Sequence, residues 1–179
     1  MNKKEHLHNS LILLLYIIGV AFTMYHNEPW FDVAQAWQIA RCATLKEIFF
    51  VIPHYEGHTP LWYLILLPFA KSGLPYDFSL KLVNLVFSAS AMAVLIWKSP
   101  FPKPIRYALP FTYFLFYQYG VISRPYSILM LGFFLAASFY KERDTKPMRF
   151  VLALFLICAT CSYGIVLSGG IAILWVFEI

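Results

Sequence analysis

The sequence predicts an all-α protein built from several membrane-crossing helices. Two observations predict it. Charged residues make up 13% of the chain and apolar residues 60%, against roughly 25% charged in an ordinary soluble domain. So few charges are too few to cover a globular surface of 179 residues. The apolar residues also fall into runs, separated by short clusters of Lys, Arg, Pro and Gly.

The first run, Leu11–Met24, follows a polar basic start and leads into MYHNEPWFD. That stretch lacks the small residues of a signal cleavage site, so the run reads as an uncleaved first span. Pro60–Ala70 is short: 11 residues reach only ~17 Å as a helix against a hydrocarbon layer of ~30 Å, so it is either re-entrant, the reading the charges favour, or crosses with help from Leu74–Tyr76 and inverts everything after it. Phe78–Trp97, Tyr107–Val121, Pro125–Tyr140 and Phe150–Val166 read as further spans. A last run from Leu167 meets Ile179 without a polar flank, so residues 1–179 are expected to form a single transmembrane module from the N-terminal part of a longer chain. Lys3 and Lys4, then Lys98, Lys103 and Arg106, then Lys141, Arg143, Lys146 and Arg149 place the N-terminus in the cytoplasm by the positive-inside rule. The loop 26–59 and Arg124 then fall together on the outer side.

That loop is too long for a passive connector. It holds four of the nine acidic residues, Glu28, Asp32, Glu47 and Glu56, and three of the five histidines, His26, His54 and His58. DVAQAWQIAR places Val33, Trp37 and Ala40 on one face and Asp32, Gln35 and Gln38 on another, an amphipathic helix anchored by Trp30 and Phe31. Thr44 is placed to cap a second helix, LKEIFFVI, with Glu47 in the capping-box position.

Asp32 has two readings. With Gln35 three residues on, it fits a helix cap. Partly desolvated beside Trp30 and Phe31, its carboxylate also suits a general base. In HYEGHTPLWY, Gly57 permits a tight turn, Thr59 is a candidate N-cap and Pro60 suits a first helical turn. His54, Glu56 and His58 there are candidates for hydrogen bonds to a polar substrate, for interfacial packing, or for metal ligation. H-x-E-x-H is no established zinc signature, and Gly-Thr-Pro argues against one continuous helix, so a divalent metal is not expected. Arg124, in YGVISRPYS, either snorkels to head groups or clamps a phosphate bidentately, with Tyr119 and Tyr126 beside it.

The remaining features are bland. Cys158 and Cys161 form C-x-x-C inside an apolar run, where thiols act as small hydrophobes more often than as a redox pair, and Cys42 stands alone. Gly169-Gly170 permits close packing or a bend, and Lys71 and Lys81 read as anchors at span ends. The net charge of +5 fits contact with anionic lipid and gives no reason to expect nucleic acid. No Walker loop, dinucleotide fingerprint or nucleophile elbow is present.

EPWFDVAQAWQIAR, HYEGHTPLWYLILLPFAKSGLPY and VISRPYS together resemble the N-terminal part of bacterial multi-spanning proteins similar to GT-C glycosyltransferases. That superfamily includes dolichyl-phosphate-mannose protein mannosyltransferases and the lipid A aminoarabinose transferase. The resemblance implies a multi-pass protein of the bacterial plasma (inner) membrane with a GT-C-like module. It also implies transfer of a sugar from a polyprenyl-phosphate donor to a cell-envelope acceptor on the outer face, with membrane lipid as partner and no cofactor. Asp32 matches the first acidic residue of the outer-loop motif, the candidate base, and Val33 stands where a second carboxylate is common. His58 falls in the block opening the second hydrophobic segment, and Arg124 aligns with a donor-phosphate contact. A transporter of polar solutes or lipids would place the same groups around a polar route but should show paired half-repeats, and no internal repeat is visible. A non-catalytic assembly or scaffold protein is the third class.

Overall fold

The computed structural model describes residues 2–178. Helix α1 (Lys3–His26) starts where Asn2 accepts the backbone N–H of Glu5. α2 (Phe31–Cys42) buries Val33, Ala36, Trp37 and Ala40, the apolar face its sequence spacing presents. α3 (Leu45–Phe50) opens with a full Thr44–Glu47 capping box. The turn α4 (Pro53–Glu56) ends at Gly57, whose φ of 62° is left-handed, a conformation glycine adopts without steric cost. α5 (Leu61–Lys71) and α6 (Tyr76–Lys98) follow.

After α7 (Lys103–Ala108) the chain tightens into a 3-10 turn over Leu109–Phe111 and then widens into a π-helix over Tyr113–Val121. Tyr16 donates to the carbonyl of Leu115 at 2.9 Å, and the Asn84 amide donates to that of Gly120 at 2.7 Å. These side chains pin the irregular helix from α1 and α6, and π-helical turns are frequent at functional sites. An extended step through Ile122 leads to Arg124 and into α8 (Tyr126–Phe139), entered through Pro125. α9 (Pro147–Cys158) and α10 (Ser162–Glu178) close the fold.

Packing proceeds helix on helix: α2 on α5, α1 and α8 on α6, α9 on α8, and α10 on α9. One core gathers Trp37, Ile48, Trp62, Leu66, Leu80 and Ile128; a second Tyr16, Val20, Met24, Met92 and Ile96; a third Ala136, Phe150, Ala153 and Ile157. Large apolar side chains stay uncovered on α1 (Leu14, Leu15, Ile18, Phe22) and α10 (Val166, Leu174, Val176, Phe177), as on surfaces that meet something else.

This architecture corrects the polytopic expectation. Among the described residues only α1 and α6 are long and apolar enough to cross a membrane, by length and composition. Half of the most apolar stretch of α6 is buried inside the fold, as in the core helix of a globular protein, and α1 lies near the N-terminus, where a signal sequence passes the same test. The expected span Tyr107–Val121 is broken by Pro110 and the 3-10 and π segments, and Phe150–Val166 is broken at Ala159–Cys161. The chain is therefore one all-α unit with extensive inter-helix packing, in place of a multi-spanning, GT-C-like transmembrane fold. The multi-pass plasma-membrane location and the charge-derived topology fall with it. The physical reason is that apolar runs serve helix–helix cores as well as they serve lipid, and hydropathy alone does not separate the two.

Candidate functional site

The starts of α2 and α5 lie side by side, and neither has a side-chain cap on its first turn. Two helix N-termini thus bring their positive dipole ends to one place. Arg124, at the entry to α8, completes the site.

Its guanidinium donates through Nη1 to Asp32 Oδ2, and through Nη2 to His58 Nε2 at 2.9 Å. Asp32 does not cap its helix; Trp30 holds that position and the carboxylate turns to Arg124. Arg124 is 17% exposed and Asp32 55%, so the pair is half in solvent and contributes about 1 kcal/mol or less to stability.

An arginine has no lone pair to offer, so His58 Nε2 must accept and the ring proton must sit on Nδ1. Burial, then the neighbouring Arg124 charge, hold the imidazole below its ordinary pKa, with Asp32 pulling weakly the other way. The neutral ring carries a buried Nδ1–H with no partner among the described residues, and the indole Nε1–H of buried Trp62 is likewise unpartnered. His58, in the loop before α5, and Trp62, in its first turn, both line a cavity of about 140 Å³ with Asp32, Gln35, Glu56, Tyr63 and Arg124. Two orphaned donors in one polar cavity are unusual, since buried polar groups are normally satisfied.

Gln35 donates to Glu56 Oε1 at 2.7 Å, tying α2 to α4. Burial, reinforced by the Glu56 charge, pushes the Tyr63 phenol up to about 12, so it remains a donor. The Gly57–Thr59 loop is held by the α9–α10 turn: Ser162 donates through N (3.1 Å) and Oγ (2.8 Å) to the Gly57 carbonyl, Thr59 Oγ1 donates to the Ala159 carbonyl, and His58 pairs with Cys161 through the backbone. Thr59 is thus a tether and not the expected helix cap.

Tyr126 stands at the edge, with its ring 5.7 Å from the Arg124 guanidinium and 6.3 Å from the His58 ring. It also lines an apolar groove of about 580 Å³ with Phe114, Tyr119, Phe133, Phe134 and Tyr163. His54 is exposed on α4 and lies outside the cavity. Among the described residues no group of three His, Cys, Asp or Glu side chains stands close enough to hold a metal ion. Cys42, Cys158 and Cys161 are free thiols.

Gln35, Trp62 and Tyr63 are cavity residues that the sequence does not single out. Spacing carries a signal for one of them, since Gln35 follows Asp32 by three residues on one face of α2.

No family model, curated protein or solved structure matches the chain. The likeness to GT-C transferases read from the sequence blocks therefore has no support from comparison, and the fold contradicts it.

Proposed function

We propose that the chain transfers a sugar from a polyprenyl-phosphate donor to an acceptor hydroxyl at the Asp32–His58–Arg124 cavity. The observation that carries this reading is the pair of orphaned donors, His58 Nδ1–H and Trp62 Nε1–H, beside the Arg124 guanidinium and two uncapped helix starts. Such a setting suits a phosphate, which supplies several acceptor oxygens and negative charge. At about 140 Å³ the cavity is smaller than the roughly 300–1,000 Å³ of a site that encloses a whole ligand, so it suits a head group. The apolar groove that Tyr126 joins to it suits the chain of a lipid-linked donor. Gln35, Glu56 and Tyr63 offer hydrogen bonds to sugar hydroxyls.

In the proposed reaction the donor phosphate takes the Arg124 arm that holds Asp32, which frees the carboxylate. The acceptor oxygen attacks the anomeric carbon, its proton passes to Asp32, and the bond from that carbon to the phosphate oxygen breaks. The electron pair stays on the phosphate, where Arg124 and the His58 and Trp62 donors stabilise it. An Asp32→Asn variant should keep donor KM and lose kcat, while Arg124→Gln should raise KM and lower kcat together. Equal loss of both in both variants would mark the ion pair as scaffolding. The scaffold reading has its own support, because the Arg124 side chain by itself joins the entry of α8 to α2 and to the loop before α5.

A further inference from the structure

α2 and α5 run side by side, so their ends meet as their starts do. Arg41 in the last turn of α2 and Lys71 in the last turn of α5 both line a cavity of about 520 Å³, with Trp37, Gly73 and Tyr76 also in its wall. Nine residues separate Asp32 from Arg41, about 14 Å of helix, so this cavity is distinct from the one at the helix starts. Gly73, at φ 77°, turns the chain around its rim, and the rings of Trp37 and Tyr76 meet edge to face at 5.8 Å.

Cations in the last turn of a helix complement its dipole. That accounts for each residue singly. It leaves both head groups without a counter-ion, since neither Arg41 nor Lys71 takes part in an ion pair among the described residues, and no carboxylate lines the cavity. Two exposed, unneutralised cations, one a planar fork and one a point charge, thus line one shared cavity larger than an inorganic ion needs.

We infer that the Arg41–Lys71 cleft binds a phosphate ester, in which Arg41 takes two oxygens, Lys71 the remaining charge, and the attached polar group fills the cavity beside Tyr76. The same chemistry is offered by a free sugar or glycerol phosphate and by a phospholipid head group. The site is independent of the reading given to the Asp32 cavity.

The test follows the tryptophan fluorescence of the full chain, with Trp37 beneath the cleft, during titration with glycerol 3-phosphate and with phosphatidylcholine vesicles with and without phosphatidylglycerol. Saturable binding should weaken about tenfold or more in Arg41→Gln and in Lys71→Gln. It should weaken less in Arg41→Lys and stay unchanged in Lys46→Gln, an exposed lysine outside the cleft. Circular dichroism establishes that each variant is folded. Charge-dependent binding of the free ester alone assigns a soluble ligand, and charge-dependent binding of the phosphatidylglycerol vesicles alone assigns a lipid head group. Binding that is absent for both, or indifferent to Arg41 and Lys71 in folded protein, overturns the inference.

Discussion

Arg124 donates to Asp32 across 92 positions of sequence, and with its second arm it engages His58. A single guanidinium thus fixes the start of α8 against the starts of α2 and α5. Any ligand that takes one arm of the fork loosens that link.

Arg124→Lys keeps the charge and loses the fork. Donor affinity should fall about tenfold, with a smaller loss of stability, because a point charge cannot hold His58 and a phosphate in the same plane. Titration of the donor, with parallel thermal unfolding, checks both.

His58 makes the fold sensitive to acid. Its folded pKa lies below the ordinary value of 6.5, so the unfolded chain binds a proton more readily than the folded one. The stability that depends on the neutral ring is complete above about pH 6.5, declines as pH falls from there through the lower folded pKa, and levels off below it. Unfolding midpoints across that range should fall with pH in the wild type and fall less in His58→Gln.

Trp62→Phe removes an indole N–H that has no partner. Losing it leaves no acceptor stranded, so the cost to stability is only the volume lost from a fully buried core side chain, about 1–2 kcal/mol. Donor binding should weaken nonetheless, because one of the proposed phosphate contacts is gone. Denaturant unfolding and donor titration on the same preparation separate the two effects.

Two glycines test the tether that shapes the site. Gly57→Ala places a side chain at φ 62° and should cost about 1–2 kcal/mol. Gly164→Ala drives a methyl group against the backbone of Ile157 where α10 packs on α9, and should cost more, about 3 kcal/mol. Chemical denaturation ranks them.

The elements written into local spacing were legible. The apolar face of α2 follows from the periodicity of Val33, Trp37 and Ala40, and the capping box at Thr44 and Glu47 follows from their separation. The role of Asp32 was not, because a first-turn aspartate looks the same whether it caps its own helix or reaches Arg124 on another. His54 and His58 occupy one short motif, yet the left-handed turn at Gly57 sends them apart. Nothing in the local sequence marks Trp62, whose significance lies in a buried, unpartnered N–H that only tertiary packing creates. The number of membrane spans is where hydropathy and structure part most widely. Pro110, the π-helix and the break at Ala159–Cys161 divide runs that hydropathy joins, and the side chains between those breaks fill cores shared by neighbouring helices.

The most direct measurement is transfer of labelled sugar from a polyprenyl-phosphate-linked donor to acceptor by the full chain, compared between the wild type and Asp32→Asn at equal folded protein. Transfer by the wild type, with a loss of about a hundredfold or more in the variant and unchanged donor binding, is the predicted result. Equal transfer by both proteins, or none by the wild type across a panel of donors, would contradict it and leave Asp32 as a tie between helices.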